Sequence, residues 1–409
     1  MKSTLKNKKL GDYIHQVDIR NKNLEVQTLL GVSNEKYFMP SIANIVGTDL
    51  SSYKIVKYNQ FAYGTVTSRN GDKISIALLK ERECIVSSSY IVFEINDINE
   101  LNPDYLMMWF KRPEFDRYSR YMSHGSVREL FGWEKLCEVE LPIPSIEEQL
   151  KIVENYKVIE ERIAIKEAIN NNLFESLKSI FASQFIYFYN NKDFQSTEIG
   201  DIPRGFTLTK LFDEVDFING YAFEGGSTLT VEEPNTYKIF KQGLIKQGGG
   251  LDYFGVKNYV YKNHFTKISN YVIEPGDVLM CMTDMKDPMK LLGHTAMVVD
   301  EDTFVLNQRV GLLRLKKTSY LTPLFIYLLT NDNQFLIRLR KKARPSVQVN
   351  LSKNDIIDLQ FAIPCNSNVI KEFSEIAEPL FEQICNNEKE IISLQNLKDL
   401  ILSKISTEQ

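Results

Sequence analysis

Two stretches of this chain place apolar residues at alternating steps of four and three. Ile152, Tyr156, Ile159, Ile163, Lys166, Asn170, Leu173, Leu177 and Ile180 mark the first, and Phe373, Ala377, Leu380, Ile384, Asn387, Ile391, Leu394, Lys398 and Ile401 mark the second. A seven-residue repeat keeps one face of an α-helix turned towards a partner helix, so each stretch predicts a long helix with a coiled-coil seam. A helix of about 40 residues spans about 60 Å. Each seam has polar interruptions, Lys166 and Asn170 in the first and Asn387 and Lys398 in the second, which lower stability but set register. An amphipathic helix lying on a globular core produces a similar stripe. Two matched seams at the same place in a repeat favour pairing with each other, antiparallel, with a globular unit at each end. Pro379 falls inside the second stripe and predicts a helix start or a kink there.

The remainder of the chain repeats as well. Leu101-Asn102-Pro103-Asp104-Tyr105-Leu106 aligns with Leu321-Thr322-Pro323-Leu324-Phe325-Ile326 at an offset of 220 residues. Phe115 then meets Phe335, Ser126-Val127 meets Ser346-Val347, and Leu141-Pro142-Ile143-Pro144 meets Phe361-Ala362-Ile363-Pro364 without a gap. Lys9-Leu10-Gly11-Asp12 resembles Lys210-Leu211-Phe212-Asp213 at an offset of 201, so the second copy has about twenty extra residues around Phe223 to Gly250. Tyr90 to Ile95 and Val310 to Leu315 read as strands, Gln60 to Tyr63 and Gly276 to Met280 as turns entering strands, and Pro103 to Trp109 and Pro323 to Leu329 as helices opened by proline. The predicted fold class is α+β: two tandem globular units alternating with two long helices that pair as an antiparallel coiled coil with pseudo-two-fold symmetry.

Composition removes some alternatives. A chain of 409 residues with 43% hydrophobic and 25% charged residues suggests two or three ordinary globular domains. No apolar run approaches the ~18 residues of a membrane span. The basic start, MKSTLKNKKLGDY, has no apolar stretch behind it and does not read as a secretory signal, so a cytoplasmic protein without a membrane partner is expected. The five cysteines and four histidines are scattered without zinc-ligand spacing, which argues against a metal site. The net charge of −4 does not itself favour a nucleic-acid partner, which makes local charge decisive.

Basic charge collects at equivalent places in the two copies. Phe335 to Arg344 contains Arg338, Arg340, Lys341, Lys342 and Arg344 with no acid, and leads to Ser346. In the first copy Lys111 to Arg128 brings Arg117, Arg120, His124 and Arg128 together with Ser126. Matched cationic stretches suit contact with DNA phosphates; a solvated helix face gives the same composition. A second candidate is the hairpin tip with Thr67, Ser68, Arg69, Asn70 and Lys73, because Arg reads guanine and Asn reads adenine in the major groove. A plain β-turn is the alternative. Lys286, in Thr283-Asp284-Met285-Lys286-Asp287-Pro288, is the candidate at the comparable place in the second copy.

Three local patterns imitate catalytic motifs. Asn102-Pro103-Asp104-Tyr105 resembles an adenine-methyltransferase motif but lacks its second proline, and reads as a helix start. Asp277 followed by Asp284-Met285-Lys286 imitates a nuclease metal site, yet Gln60 replaces Asp277 in the other copy. Gly248-Gly249-Gly250 reads as a flexible loop without the context of a phosphate cradle.

The whole chain resembles the specificity subunit of type I restriction-modification enzymes. The resemblance rests on the tandem layout, on Tyr37-Phe38-Met39-Pro40-Ser41-Ile42-Ala43-Asn44, on Gln60-Phe61-Ala62-Tyr63-Gly64 with Thr67-Ser68-Arg69-Asn70-Gly71, and most specifically on Leu141-Pro142-Ile143-Pro144 followed by Glu147-Glu148-Gln149. The second junction, Ile363-Pro364-Cys365-Asn366, lacks the Glu-Gln pair. The resemblance implies target recognition domains at 1–144 and 191–364 and conserved spacer helices at 145–190 and 365–409. It further implies double-stranded DNA as ligand, two modification subunits that bind S-adenosylmethionine and methylate adenine, and restriction subunits using ATP and Mg²⁺. The chain itself would be non-catalytic and hold no cofactor. A stand-alone methyltransferase or nuclease, and a coiled-coil adaptor that binds no DNA, are the competing readings.

Overall fold

The computed structural model describes residues 7–41, 47–67, 73–123, 129–255, 257–286, 289–299, 304–343 and 348–405. The chain divides into two compact units: unit 1 comprises Met1–Ile165 with Ser393–Gln409, and unit 2 comprises Lys166–Ile392. Each long helix therefore contributes one part to each unit. Among the described residues no helix is long and apolar enough to cross a membrane.

Unit 1 is built on a four-stranded antiparallel sheet in the order Ile14–Val17, Tyr90–Ile95, Phe61–Gly64, Ile76–Leu78. The strand Tyr90–Ile95 has the predicted limits, and Phe61 and Phe93 stack across the sheet with ring centroids 4.8 Å apart. Helix Pro103–Lys111 packs its apolar residues onto this sheet; the Asn102 side chain caps it by accepting from the backbone N–H groups of Asp104 and Tyr105. Helix Pro113–Tyr121 follows. A short ladder of Asn7–Lys9 with Glu140–Pro142 ties the two ends of the unit together.

Unit 2 repeats this frame. Its sheet runs in the order Val215–Asn219, Val310–Leu315, Val278–Cys281, Thr295–Met297. Helix Pro323–Thr330 is capped by Thr322 and followed by Asn333–Lys341, and Phe206–Lys210 closes on Gln360–Pro364. The fronts of the two units differ in topology. In unit 1 Lys54–Val56 pairs antiparallel with Cys84–Val86. In unit 2 the corresponding strand, Phe304–Leu306, pairs parallel with Thr236–Phe240, which also binds Tyr259–Tyr261.

The long helices span Ile146–Phe185 and Asn368–Lys404. Within unit 1, Lys398 Nζ lies 3.5 Å from Glu160 and above the Tyr156 ring. Within unit 2, Lys166 pairs with Glu390 at 3.0 Å, Asn387 Nδ2 donates to Asn170 Oδ1 at 2.7 Å, and Phe181 meets Phe373. Partner numbers fall as helix numbers rise, so the helices are antiparallel. The polar interruptions of the two seams meet each other in unit 2: Lys166 Nζ also donates to Asn387 Oδ1 at 2.8 Å. Pro379 neither starts nor ends the second helix, which continues through it. Both Pro379 and Glu375, whose carbonyl loses its usual donor, are exposed, so water can satisfy that carbonyl.

Candidate nucleic-acid interface

In each copy a ladder joins one of the two candidate stretches to the segment that follows the other. In unit 2, Thr283–Met285 pairs antiparallel with Gln348–Asn350, in the register Thr283 to Asn350, Asp284 to Val349 and Met285 to Gln348. Exposed Lys286 follows the first strand, while exposed Lys341 and Lys342 end the helix that leads towards the second. In unit 1 the matching contact is the antiparallel bridge between Val66 and Leu130. Thr67 N–H donates to the Glu129 carbonyl at 3.0 Å, and Phe131 N–H donates to the Thr65 carbonyl at 2.8 Å. Both units thus join the start of the candidate tip stretch to the segment following their cationic helix.

The candidate side chains divide into two groups. Arg117 is well exposed and pairs with Glu114 at 3.0 Å, and Lys73 pairs with Glu35 at 2.6 Å. These surface pairs are weak enough for a phosphate to replace the carboxylate. Lys286, Lys341 and Lys342 are likewise exposed. The second group is engaged by the protein itself. Thr67 is buried, and its hydroxyl donates to the Glu129 carbonyl at 3.2 Å. Arg120 pairs with the Glu129 carboxylate. Arg338 Nη1 donates to the Gln360 carbonyl at 2.7 Å, and Arg340 Nε to the Leu292 carbonyl at 2.9 Å. Burial lowers the pKa of both guanidinium groups, which nevertheless remain cationic. Arg338 and Arg340, expected to face phosphates, instead have half-buried guanidiniums committed to backbone carbonyls. Ser68, Arg69, Asn70, His124, Ser126, Arg128, Arg344 and Ser346 lie outside the described residues.

Residues 4–175 match the family model of the type I restriction modification DNA specificity domain. The chain is similar to the specificity subunits of type I restriction-modification enzymes. The MjaIX specificity subunit of Methanocaldococcus jannaschii is 25% identical over 317 residues, which cover 74% of this chain and 68% of that protein. The MjaVIII specificity subunit of the same organism is 23% identical over 198 residues, covering 47% of this chain and 44% of that one. The crystal structure of a type I S subunit from M. genitalium covers 98% of this chain and 96% of its own, with a TM-score of 0.54 and 14% identity, a likeness of fold.

In this chain the junction Pro144 to Gln149 has a clear physical role. Gln149 is fully buried, and its Nε2 donates to the carbonyls of Glu100 at 2.8 Å and Pro144 at 2.9 Å. Its Oε1 accepts from Asn102 N–H at 2.8 Å, so one amide joins the start of the long helix to the cap of Pro103–Lys111. The second junction solves the same problem differently: Ile370 is buried in the core, and the Tyr320 hydroxyl donates to the Pro364 carbonyl at 2.6 Å.

The catalytic look-alikes also acquire structural roles. Asp277 is buried and grips Arg314 through two hydrogen bonds of 2.9 and 2.6 Å, while Asp284 accepts backbone N–H groups. Asn102 is a helix cap, as its motif suggested. Gly248–Gly250, read from the sequence as a flexible loop, forms a turn that bonds to the sheet. Gly250 N–H donates to the Thr295 carbonyl at 3.0 Å, and Gly249, at φ +103°, has the Asn331 amide where a Cβ would stand. Among the described residues no three His, Cys, Asp or Glu side chains are placed to hold a metal ion. Sequence reasoning did not single out Glu129 or Gln149 as anchors. A polar residue beside an otherwise apolar strand or helix start was the available signal.

Proposed function

We propose that the chain is the DNA-reading subunit of a type I restriction-modification system, in which each unit reads one half of a bipartite site. The observation that carries this reading is the shared ladder: in both units it joins the start of the candidate base-reading stretch to the segment following a cationic helix suited to phosphates. Similar frames with different side chains at the tips suit the reading of two different half-sites. Catalysis belongs to partners: two modification subunits that use S-adenosylmethionine to methylate adenine, and restriction subunits that use ATP and Mg²⁺. The modification subunits dock along the long helices, whose first member exposes Leu150, Val158 and Ile165 in unit 1 outside the paired seam. The place of action is the cytoplasm, where cellular DNA is accessible.

Methylated adenines mapped across the host genome, with the chain present and deleted, test this reading. Loss of methylation at one two-part motif is the expected result. An unchanged methylation map would overturn it.

A further inference from the structure

The recognition ladder of unit 2 is braced at one point from two sides. The Asp284 carboxylate accepts from the backbone N–H groups of Met285 at 2.8 Å, Leu291 at 2.6 Å and Leu292 at 3.1 Å. Arg340, from the cationic helix, donates Nε–H to the carbonyl of the same Leu292 at 2.9 Å. Leu292 is fully buried and is therefore held at both its N–H and its C=O. Gly293 follows at φ +83°, and a Cβ there would stand 2.9 Å from Leu339 and 3.0 Å from Leu336, so this segment is pressed against the helix. Among the described residues Arg340 Nη2 is buried without a hydrogen-bond partner, an arrangement poorly suited to meeting a solvent-side phosphate.

Unit 1 places a brace at the same positions with different atoms. Thr67 stands where Asp284 does, one residue beyond the ladder partner of Leu130, and Arg120 stands 220 residues before Arg340. Both converge on Glu129: Thr67 bonds its carbonyl through N–H and hydroxyl, and Arg120 pairs with its carboxylate. At equivalent positions each unit thus anchors its ladder, unit 2 to the Leu291–Leu292 segment and unit 1 to Glu129 beside the bridge itself.

We infer that Asp284 and Arg340 in unit 2, with Thr67, Arg120 and Glu129 in unit 1, are positioning residues for base recognition that hold the reading ladder without touching DNA. The inference rests on the DNA-reading role proposed above. Its physical basis is preorganisation: base discrimination requires donors held to a narrow geometry, and a clamped ladder supplies that before DNA arrives. Phosphate contacts, in contrast, reveal themselves through counterion release.

The test uses the full-length chain, a pool of random-sequence DNA duplexes, and affinity measured against salt. Arg340→Met and Asp284→Asn are each expected to reduce discrimination in one half of the selected sequence by about tenfold. The slope of log affinity against log salt should stay unchanged in both. Lys341→Met with Lys342→Met should do the reverse, lowering that slope by about two with the selected sequence retained. A slope reduced by about one in Arg340→Met, with sequence preference intact, would mean a direct phosphate contact and overturn the inference, as would unchanged discrimination in both brace variants. If Arg340→Met loses its cooperative unfolding transition, the near-isosteric Asp284→Asn decides. A wild-type chain that selects no sequence would remove the DNA-reading role itself, a distinct outcome from selective wild type with indifferent variants.

Discussion

The two units share single hydrogen bonds of their frame and differ in the polar groups mounted on it. Leu10 N–H donates to the Val139 carbonyl at 2.8 Å, and Leu211 N–H to that of Leu359 at 2.9 Å, the same bond in each copy. Beside the central strands, however, unit 1 has Gln60 donating to Glu94 at 2.8 Å, with His15 3.2 Å from the same carboxylate. At the matching place unit 2 has Asp277 and Glu274 holding Arg314. The sign of the central charge is reversed, and each arrangement is complete in itself. Buried apolar alternation sets the backbone frame, whereas polar partners can be exchanged provided that none is left behind. The opposite strand directions in the two fronts show the same freedom on a larger scale.

The largest separation between the units should come from breaking these two networks. Asp277→Ala leaves Arg314 without its bidentate partner and Glu274 N–H without its acceptor, and should destabilise the chain by about 3 kcal/mol. Gln60→Ala should cost about 1 kcal/mol. Urea unfolding of the full chain measures both, and equal losses would contradict the ranking. A smaller contrast lies in the helix pair. Asn387→Ala removes a partner from Lys166, Asn170 and Gln383 in unit 2 and should cost about 2 kcal/mol. Lys398→Met in unit 1, which loses a part-exposed ion pair, should cost less than about 1 kcal/mol by the same measurement.

The smallest effect concerns pH. Burial lowers the His294 pKa, reinforced by Arg340 and Lys178 and opposed by the hydrogen bond to Asn331. The unfolded chain therefore binds more protons near its ordinary value of 6.5 than the folded chain does. This contribution to stability is intact above that value and is lost as pH falls through it towards the folded value. His294→Asn should flatten the acid side of a plot of melting temperature against pH. A plot with unchanged slope would place the titration elsewhere. Unit 1 has buried Ser75 at the corresponding place, which does not titrate.

Much of the frame was legible in the linear pattern. The limits of Tyr90–Ile95 and Val310–Leu315, the proline-opened helices and the long-helix seams all follow from local periodicity and capping. The candidate interface was legible only as two separate segments in each copy. Nothing local in Thr65 to Thr67 announces Glu129 to Phe131 as its neighbour. Arg338 and Arg340 show the same limit: a helical run of cations does not reveal which guanidinium turns inward to a carbonyl.

Repetition, element type and the register of the seams were determined by the sequence itself, because periods of two and seven and the caps at helix starts act over a few residues. Tertiary structure decided which strands pair across sixty or more residues, that polar residues of the two seams answer each other, and which charges support the ladder instead of facing outward. Those outcomes depend on burial and on the hydrogen-bond partners that chain closure brings within about 3 Å, and neither exists until the units have folded.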